Sequence, residues 1–285
     1  MEQVPDRPFI KFPPSLVARY ADNGYKLIGH HSGVQICRWT KSALKGRRHC
    51  YKRWYGIQSH RCIQMTPALQ FCNLRCVFCW RFHEASRFKA EGIWDDPTSI
   101  LDHAEKAQRQ LLSGFKPHLD VKRAAFEEAM NPAHVAISLD GEPTLYPQID
   151  DFVLEVERRA MTSFLVTNGT VPAQIERLLH RDAEPTNLYI SICAASAEDY
   201  LRITSADSSE KWQRLQQTLR LLKRFQRSRT IIRLTLVKRL NMKDPDLYAR
   251  LIQIAEPGFV ELKGYSWLGE SRKRLPISAM PTHQE

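Results

Sequence analysis

Between Asn23 and His83 the sequence has no aspartate and no glutamate. Long apolar runs are also missing. No segment reaches the roughly 18 apolar residues that a membrane-spanning helix needs, and the opening MEQVPDRPF lacks the apolar core of a secretory signal. A membrane protein and a secreted protein are therefore not expected, and a cytoplasmic one is. No internal repeat or low-complexity linker interrupts the 285 residues, 43% of them hydrophobic, so one large core is affordable without a second domain. In a reducing compartment disulfides are rare, and the seven cysteines require another explanation.

The acid-free stretch is rich in cations: Lys26, Arg38, Lys41, Lys45, Arg47, Arg48, Lys52, Arg53, Arg61, Arg75 and Arg81, interleaved with Trp39, Tyr51, Trp54 and Tyr55. The formal net charge of +11 is concentrated there, a pattern that suits phosphate contacts and base stacking on single-stranded nucleic acid. Arg47, Arg48, Lys52 and Arg53 are the predicted contacts in this strip. Lys263 and the run Arg272, Lys273 and Arg274 form a second basic group near the end of the chain. The competing interpretation is a solvated surface whose long stems cover apolar atoms.

The cysteines divide as three, three and one. Cys72, Cys76 and Cys79 stand in the spacing C-x-x-x-C-x-x-C, which ligates three of the four irons of a cubane cluster and leaves one iron to an external chelator. Zinc sites favour C-x-x-C pairs that close a tetrahedron, and no second pair is present. With Phe78 just before the last cysteine, the run resembles the radical S-adenosylmethionine superfamily, whose chelator is S-adenosylmethionine. Cys37, Cys50 and Cys62 are separated by twelve and eleven residues. They are the candidate ligands of a second 4Fe-4S cluster with its own open iron, the alternative being scattered buried cysteines. Cys193, at the end of the apolar run NLYISIC, reads as a core residue.

Strand-like runs are predicted at 64–69, 134–139, 163–167, 188–193, 230–237 and 258–262. Helical periodicity falls between them at 100–112, 149–159, 172–180, 209–224 and 244–254. This order gives an α/β fold compatible with the partial TIM-like barrel of six βα units that the superfamily resemblance implies. Residues 1–63 are expected to be a basic extension that carries the second cysteine trio and packs on the barrel, and 64–285 the barrel itself. The polar motifs SLDGEPT and TNGT follow predicted strands, where barrel enzymes keep their chemistry. Taken alone, both are also ordinary turn sequences.

Five blocks occur in order: HHSGVQICRWTK, YGIQSHRCIQMTPALQFCNLRCVFCWR, SLDGEPTLYP, LVTNGT and ELKGYSWLGESR. Together they resemble the tRNA wyosine-base synthase family, in its archaeal form without a flavodoxin-like domain. Family members space the second trio with two equal gaps, so the shorter gap before Cys62 is a departure. The resemblance implies two 4Fe-4S clusters and S-adenosylmethionine, with Phe78, Gly141, Glu142, Thr144 and Asn168 as contacts to the latter. It also implies a reaction in which N1-methylguanosine beside the anticodon of tRNA-Phe gains two carbons of pyruvate and becomes the tricyclic 4-demethylwyosine. Pyruvate is expected to be held by the open iron of the second cluster or, alternatively, as an imine on Lys41 or Lys45. Trp39, Trp54 and Tyr265 are candidates to stack on the target base. A monomer with an external electron donor, such as a flavodoxin or ferredoxin, completes the expectation. Two other readings are a glycyl-radical activating enzyme, which leaves the basic strip unexplained, and a zinc-dependent RNA-binding module.

Overall fold

The computed structural model describes residues 12–82 and 92–285; the opening MEQVPDRPF lies outside the described residues. The chain divides into two compact units, one formed by the described residues of Met1–Leu69 and Lys89–Ser163 and the other by those of Gln70–Phe88 and Phe164–Glu285.

The first unit opens with α1 (Pro14–Asp22), started by a proline that has no amide to leave unpaired. Its inward residue Tyr20 is fully buried and donates its hydroxyl to Asp140 Oδ2 at 2.9 Å. β1 (Tyr25–Ile28) and β2 (Ser32–Gln35) form an antiparallel hairpin, and β2 pairs antiparallel with β3 (Cys62–Thr66). β3 then runs parallel to β4 (His134–Ile137). Between β2 and β3 lies α2 (Arg38–Leu44). Asp96 caps α3 (Pro97–Ser113) by accepting from Ser99 N at 2.9 Å. That helix buries Ile100, Leu101, Ala104, Ala107 and Leu112, the three-to-four spacing of an amphipathic face. α4 (Arg123–Ala129) and α5 (Ile149–Arg158) complete the unit.

The second unit contains β5 (Thr162–Thr167) from Phe164 onward, β6 (Asn187–Ile192), β7 (Arg229–Leu236) and β8 (Phe259–Gly264), neighbours in that order and all parallel. Between them come α6 (Pro172–His180), then α7 (Ala197–Thr204) with α8 (Glu210–Leu222), then α9 (Pro245–Ala255). The burial of β6 is nearly continuous, as parallel strands covered on both faces require.

The fold is α/β, and the six strands β3 to β8 are those the sequence predicts, each within two residues at its start. Each of the five predicted helices is present. The hairpin β1–β2 and helices α1, α2, α4 and α7 were not predicted. The hairpin joins the extension to β3 through backbone hydrogen bonds, so the basic strip is part of a sheet-bearing unit.

Candidate active site

In the second unit, Cys72, Cys76 and Cys79 are half-buried on a segment without helix or strand. Such a segment keeps one shape only if its backbone groups find partners elsewhere. Arg75 N and Val77 N donate to the carbonyls of Thr204 and Ile203 at the end of α7, at 2.7 and 2.9 Å, and Cys79 N closes a turn onto Cys76 O at 2.9 Å. Asn73 joins the segment to the TNGT turn: its Nδ2 donates to Thr170 Oγ1 at 2.8 Å and its Oδ1 accepts from Asn168 Nδ2 at 3.0 Å. Asn168 Oδ1 in turn accepts from Thr170 N and Oγ1 at 3.0 and 2.6 Å, so this predicted cofactor contact also braces the cysteine loop. Phe78 packs in a small apolar group with Val237, Tyr265 and Ala279. Arg274, predicted to meet RNA phosphates, instead donates from Nε to Val77 O at 3.1 Å and from Nη2 to Cys79 O. The Cys76 thiol is raised well above its ordinary value by a hydrogen bond with Cys193 and then by burial, while Arg274 opposes both. Cys193 itself is buried just past β6, the core residue its sequence suggested.

In the first unit, Asp140, Gly141 and Glu142 follow β4 closely. Gly141 has φ +71°, a conformation that disfavours other residues, and its amide donates to Asp140 Oδ1 at 2.6 Å. The Glu142 carboxylate is almost fully buried and accepts from Thr144 N and Thr144 Oγ1 at 3.0 and 2.7 Å. The predicted S-adenosylmethionine contacts Gly141, Glu142 and Thr144 thus form one pre-organised turn.

The second trio also lies in the first unit. Cys37 caps α2, its Sγ accepting from Trp39 N at 3.4 Å. Cys50 precedes the single turn Tyr51–Tyr55, and its amide donates to Ser59 Oγ at 2.8 Å. Thr40 Oγ1 donates to Ser59 O at 2.8 Å, so Ser59 ties the Cys37 helix to the Cys50 turn. Cys62 begins β3, and its thiol is pushed up to about 12, mainly by burial; Cys37 and Cys50 add to the rise and Lys52 opposes it. Residues spread over the sequence from 37 to 62 therefore share one electrostatic neighbourhood. Among the described residues no three His, Cys, Asp or Glu side chains close around a single metal ion. A cubane suits the Cys72, Cys76 and Cys79 loop better than zinc does, because it offers each thiolate a different iron.

Of the predicted lysines, Lys45 is paired with Asp120 at 2.8 Å, while Lys41 is exposed one helical turn beyond Cys37. Arg47 approaches the same Asp120 at 3.5 Å, and Arg48 and Arg53 are exposed. Lys52 is half-buried, and sequence reasoning placed it only among phosphate contacts. Lys263 is exposed, Arg272 lies over the Trp267 ring at 5.0 Å, and Lys273 pairs with Glu270 at 2.9 Å. Trp54 is 92% exposed, whereas Tyr265 is buried with its hydroxyl on Ser271 Oγ at 2.9 Å. Of these two rings, only Trp54 presents a face for stacking.

A three-thiol loop of this spacing on an α/β framework defines a radical SAM protein, and the Radical SAM superfamily model matches residues 66–252. A second model, wyosine base formation, matches residues 254–285. The chain is 45% identical over 277 residues to the S-adenosyl-L-methionine-dependent tRNA 4-demethylwyosine synthase of Pyrococcus horikoshii, an alignment covering 96% of this chain and 80% of that protein. It is 41% identical to the Homo sapiens synthase TYW1 over 95% of this chain, which is 37% of that longer protein. A solved structure of TYW1 with a lysine-pyruvate adduct bound superimposes with a TM-score of 0.86 at 34% identity, covering 96% of this chain and 86% of that one. A crystal structure of archaeal TYW1 gives 0.75 at 33% identity, with 89% and 83% covered. The chain belongs to the tRNA 4-demethylwyosine synthase family.

Proposed function

We propose that this radical SAM enzyme converts N1-methylguanosine beside the anticodon of tRNA-Phe to 4-demethylwyosine, using two carbons of pyruvate. The observation that carries this reading is the wyosine base formation match over 254–285, directly after the radical SAM match. A glycyl-radical activating enzyme has no use for that block or for the basic strip. When bound at Cys72, Cys76 and Cys79, a 4Fe-4S cluster supplies the electron that cleaves S-adenosylmethionine to a 5'-deoxyadenosyl radical. The chain's part is to hold that loop still through Thr204, Ile203, Asn73 and Arg274 and to offer Asn168 and Phe78 to the cofactor. By family resemblance, Gly141, Glu142 and Thr144 of the first unit are proposed as further cofactor contacts.

In this reading Cys37, Cys50 and Cys62 hold a second 4Fe-4S cluster, and pyruvate is captured beside it. The similar TYW1 structure contains a lysine-pyruvate adduct, which favours imine formation over chelation alone. Lys45 is occupied by Asp120, and Lys52 is the cation that acts on the Cys62 thiol. Lys52 is therefore our first candidate for the imine and Lys41 the second. Its Nζ must lose a proton before attacking the keto carbon, and the carbonyl oxygen leaves as water. Arg47, Arg48, Arg53, Lys263, Arg272 and Lys273 would then hold tRNA phosphates and Trp54 the base. We retain 1–63 as the functional extension and 64–285 as the barrel, in a cytoplasmic monomer reduced by a flavodoxin or ferredoxin. Among the described residues no helix is long and apolar enough to cross a membrane.

The test is anaerobic turnover with tRNA-Phe carrying N1-methylguanosine, S-adenosylmethionine, dithionite and carbon-labelled pyruvate. A tricyclic nucleoside containing two labelled carbons is expected; cleavage of S-adenosylmethionine with unaltered tRNA would refute the assignment.

A further inference from the structure

Cys76 and Cys79 are two of the three ligands expected at the first cluster, and the turn between them has no regular secondary structure of its own. One flank is secured by α7 through Thr204 and Ile203. The other is secured by the short segment Gly269–Lys273 and by Arg274 immediately after it. Arg274 donates to the carbonyls of Val77 and Cys79, and Glu270 N donates to Trp80 O at 3.1 Å. Gly269 has φ +51°, and a Cβ built there would collide with the Trp80 carbonyl, so the two strands of chain are in backbone contact. The contacts of Gly269, Glu270 and Arg274 join the wyosine block to the cysteine loop inside one compact unit. A planar guanidinium suits this task because it can donate along two directions while remaining charged at any working pH.

We propose that Arg274 is a positioning residue for the reducible cluster: it holds the Cys76–Cys79 turn from the C-terminal block and, as a fixed cation beside that turn, raises the cluster's reduction potential. This rests on the reading that Cys72, Cys76 and Cys79 ligate the cluster. Reduction adds one electron, taken from an external low-potential donor, and hence one negative charge. A neighbouring cation stabilises the reduced form more than the oxidised one, and cluster potentials respond to such charges and to hydrogen bonding around the sulfurs.

The experiment uses the full chain, reconstituted anaerobically, as wild type, Arg274→Gln and Arg274→Lys. Iron content is measured first, and the cluster is then titrated with dithionite and followed by electron paramagnetic resonance. The expected result is a midpoint shifted to more negative potential in Arg274→Gln. Arg274→Lys, which keeps the charge but not the fork, should fall between that variant and wild type. Equal midpoints in all three would overturn the proposal while leaving the cluster in place. If Arg274→Gln loses its iron, Arg274→Lys decides: a midpoint below wild type supports the proposal and one equal to it overturns it. A wild type with neither iron nor a reduced-cluster signal would instead overturn the ligand assignment itself.

Discussion

Lys52 and Lys41 differ in what surrounds their amines. Lys52 is half-buried and exerts its charge on the Cys62 thiol, whereas Lys41 is exposed on α2. Borohydride reduction in the presence of pyruvate should therefore label the wild type and Lys41→Ala but not Lys52→Ala, as read by peptide mass spectrometry. Labelling that persists in Lys52→Ala and vanishes in Lys41→Ala would reverse the order. His134 gives a second prediction at this scale. Gln58 N donates to its Nε2 at 3.1 Å, so Nδ1 carries the proton and donates to Thr162 Oγ1 at 2.7 Å. Burial, followed by Arg61 and His60, lowers its pKa from 6.5 to about 4. The neutral form is thus favoured in the folded protein more than in the unfolded one. This contribution is complete above 6.5 and is lost as the pH falls toward about 4. His134→Gln should remove on the order of 3 kcal/mol from the acid dependence of unfolding in that window, measured by urea titration at several pH values. The same pH slope in both proteins would show that His134 contributes nothing to it.

Among the elements, the turn after β5 is packed closely against α8. Gly169 has φ +72°, and a Cβ there would lie 2.8 Å from Leu215 Cδ1 on α8. Gly169→Ala should cost about 2 kcal/mol of unfolding free energy through left-handed strain and overpacking, measured by chemical denaturation. A loss near zero would mean that α8 yields readily. Because Asn168 and Thr170 flank Gly169 and bond to Asn73, the variant should also loosen the cysteine loop. The parallel strands were legible in the sequence because each is an apolar run bounded by turn residues, as buried strands must be. β1 and β2 were not: each spans four residues, and β2 is pinned by its pairing with β3 more than by any pattern of its own. α2 and α4, at seven residues each, are too short for a convincing helical period.

For the whole molecule, the net charge of +11 and the two cysteine trios make separate predictions. Neutralising Arg272 and Lys273 together should weaken tRNA binding and lower the slope of log affinity against log salt by about 0.7 for each phosphate no longer neutralised, measured by filter binding across a salt series. An unchanged slope would place the RNA elsewhere. Iron and sulfide analysis should find about eight irons in the reconstituted wild type and about four in the Cys37→Ala, Cys50→Ala, Cys62→Ala variant. Four in both would limit the second trio to a structural role and leave pyruvate to a lysine alone.

Sequence by itself determined the α/β alternation, the spacing that marks Cys72, Cys76 and Cys79, and the family. These are local patterns, readable wherever residues close in sequence act together. Only the tertiary structure decided that Arg274 belongs to the cysteine loop rather than to the outer basic surface, and that Tyr265 is core while Trp54 is exposed. It also left Lys52 half-buried, with its charge felt at the Cys62 thiol, and set Lys45 against Asp120. A lysine or arginine carries the same charge in every such setting. Its role is set by the carbonyl or carboxylate that the fold brings to its tip, and for Arg274 and Lys45 those partners come from segments distant in the chain.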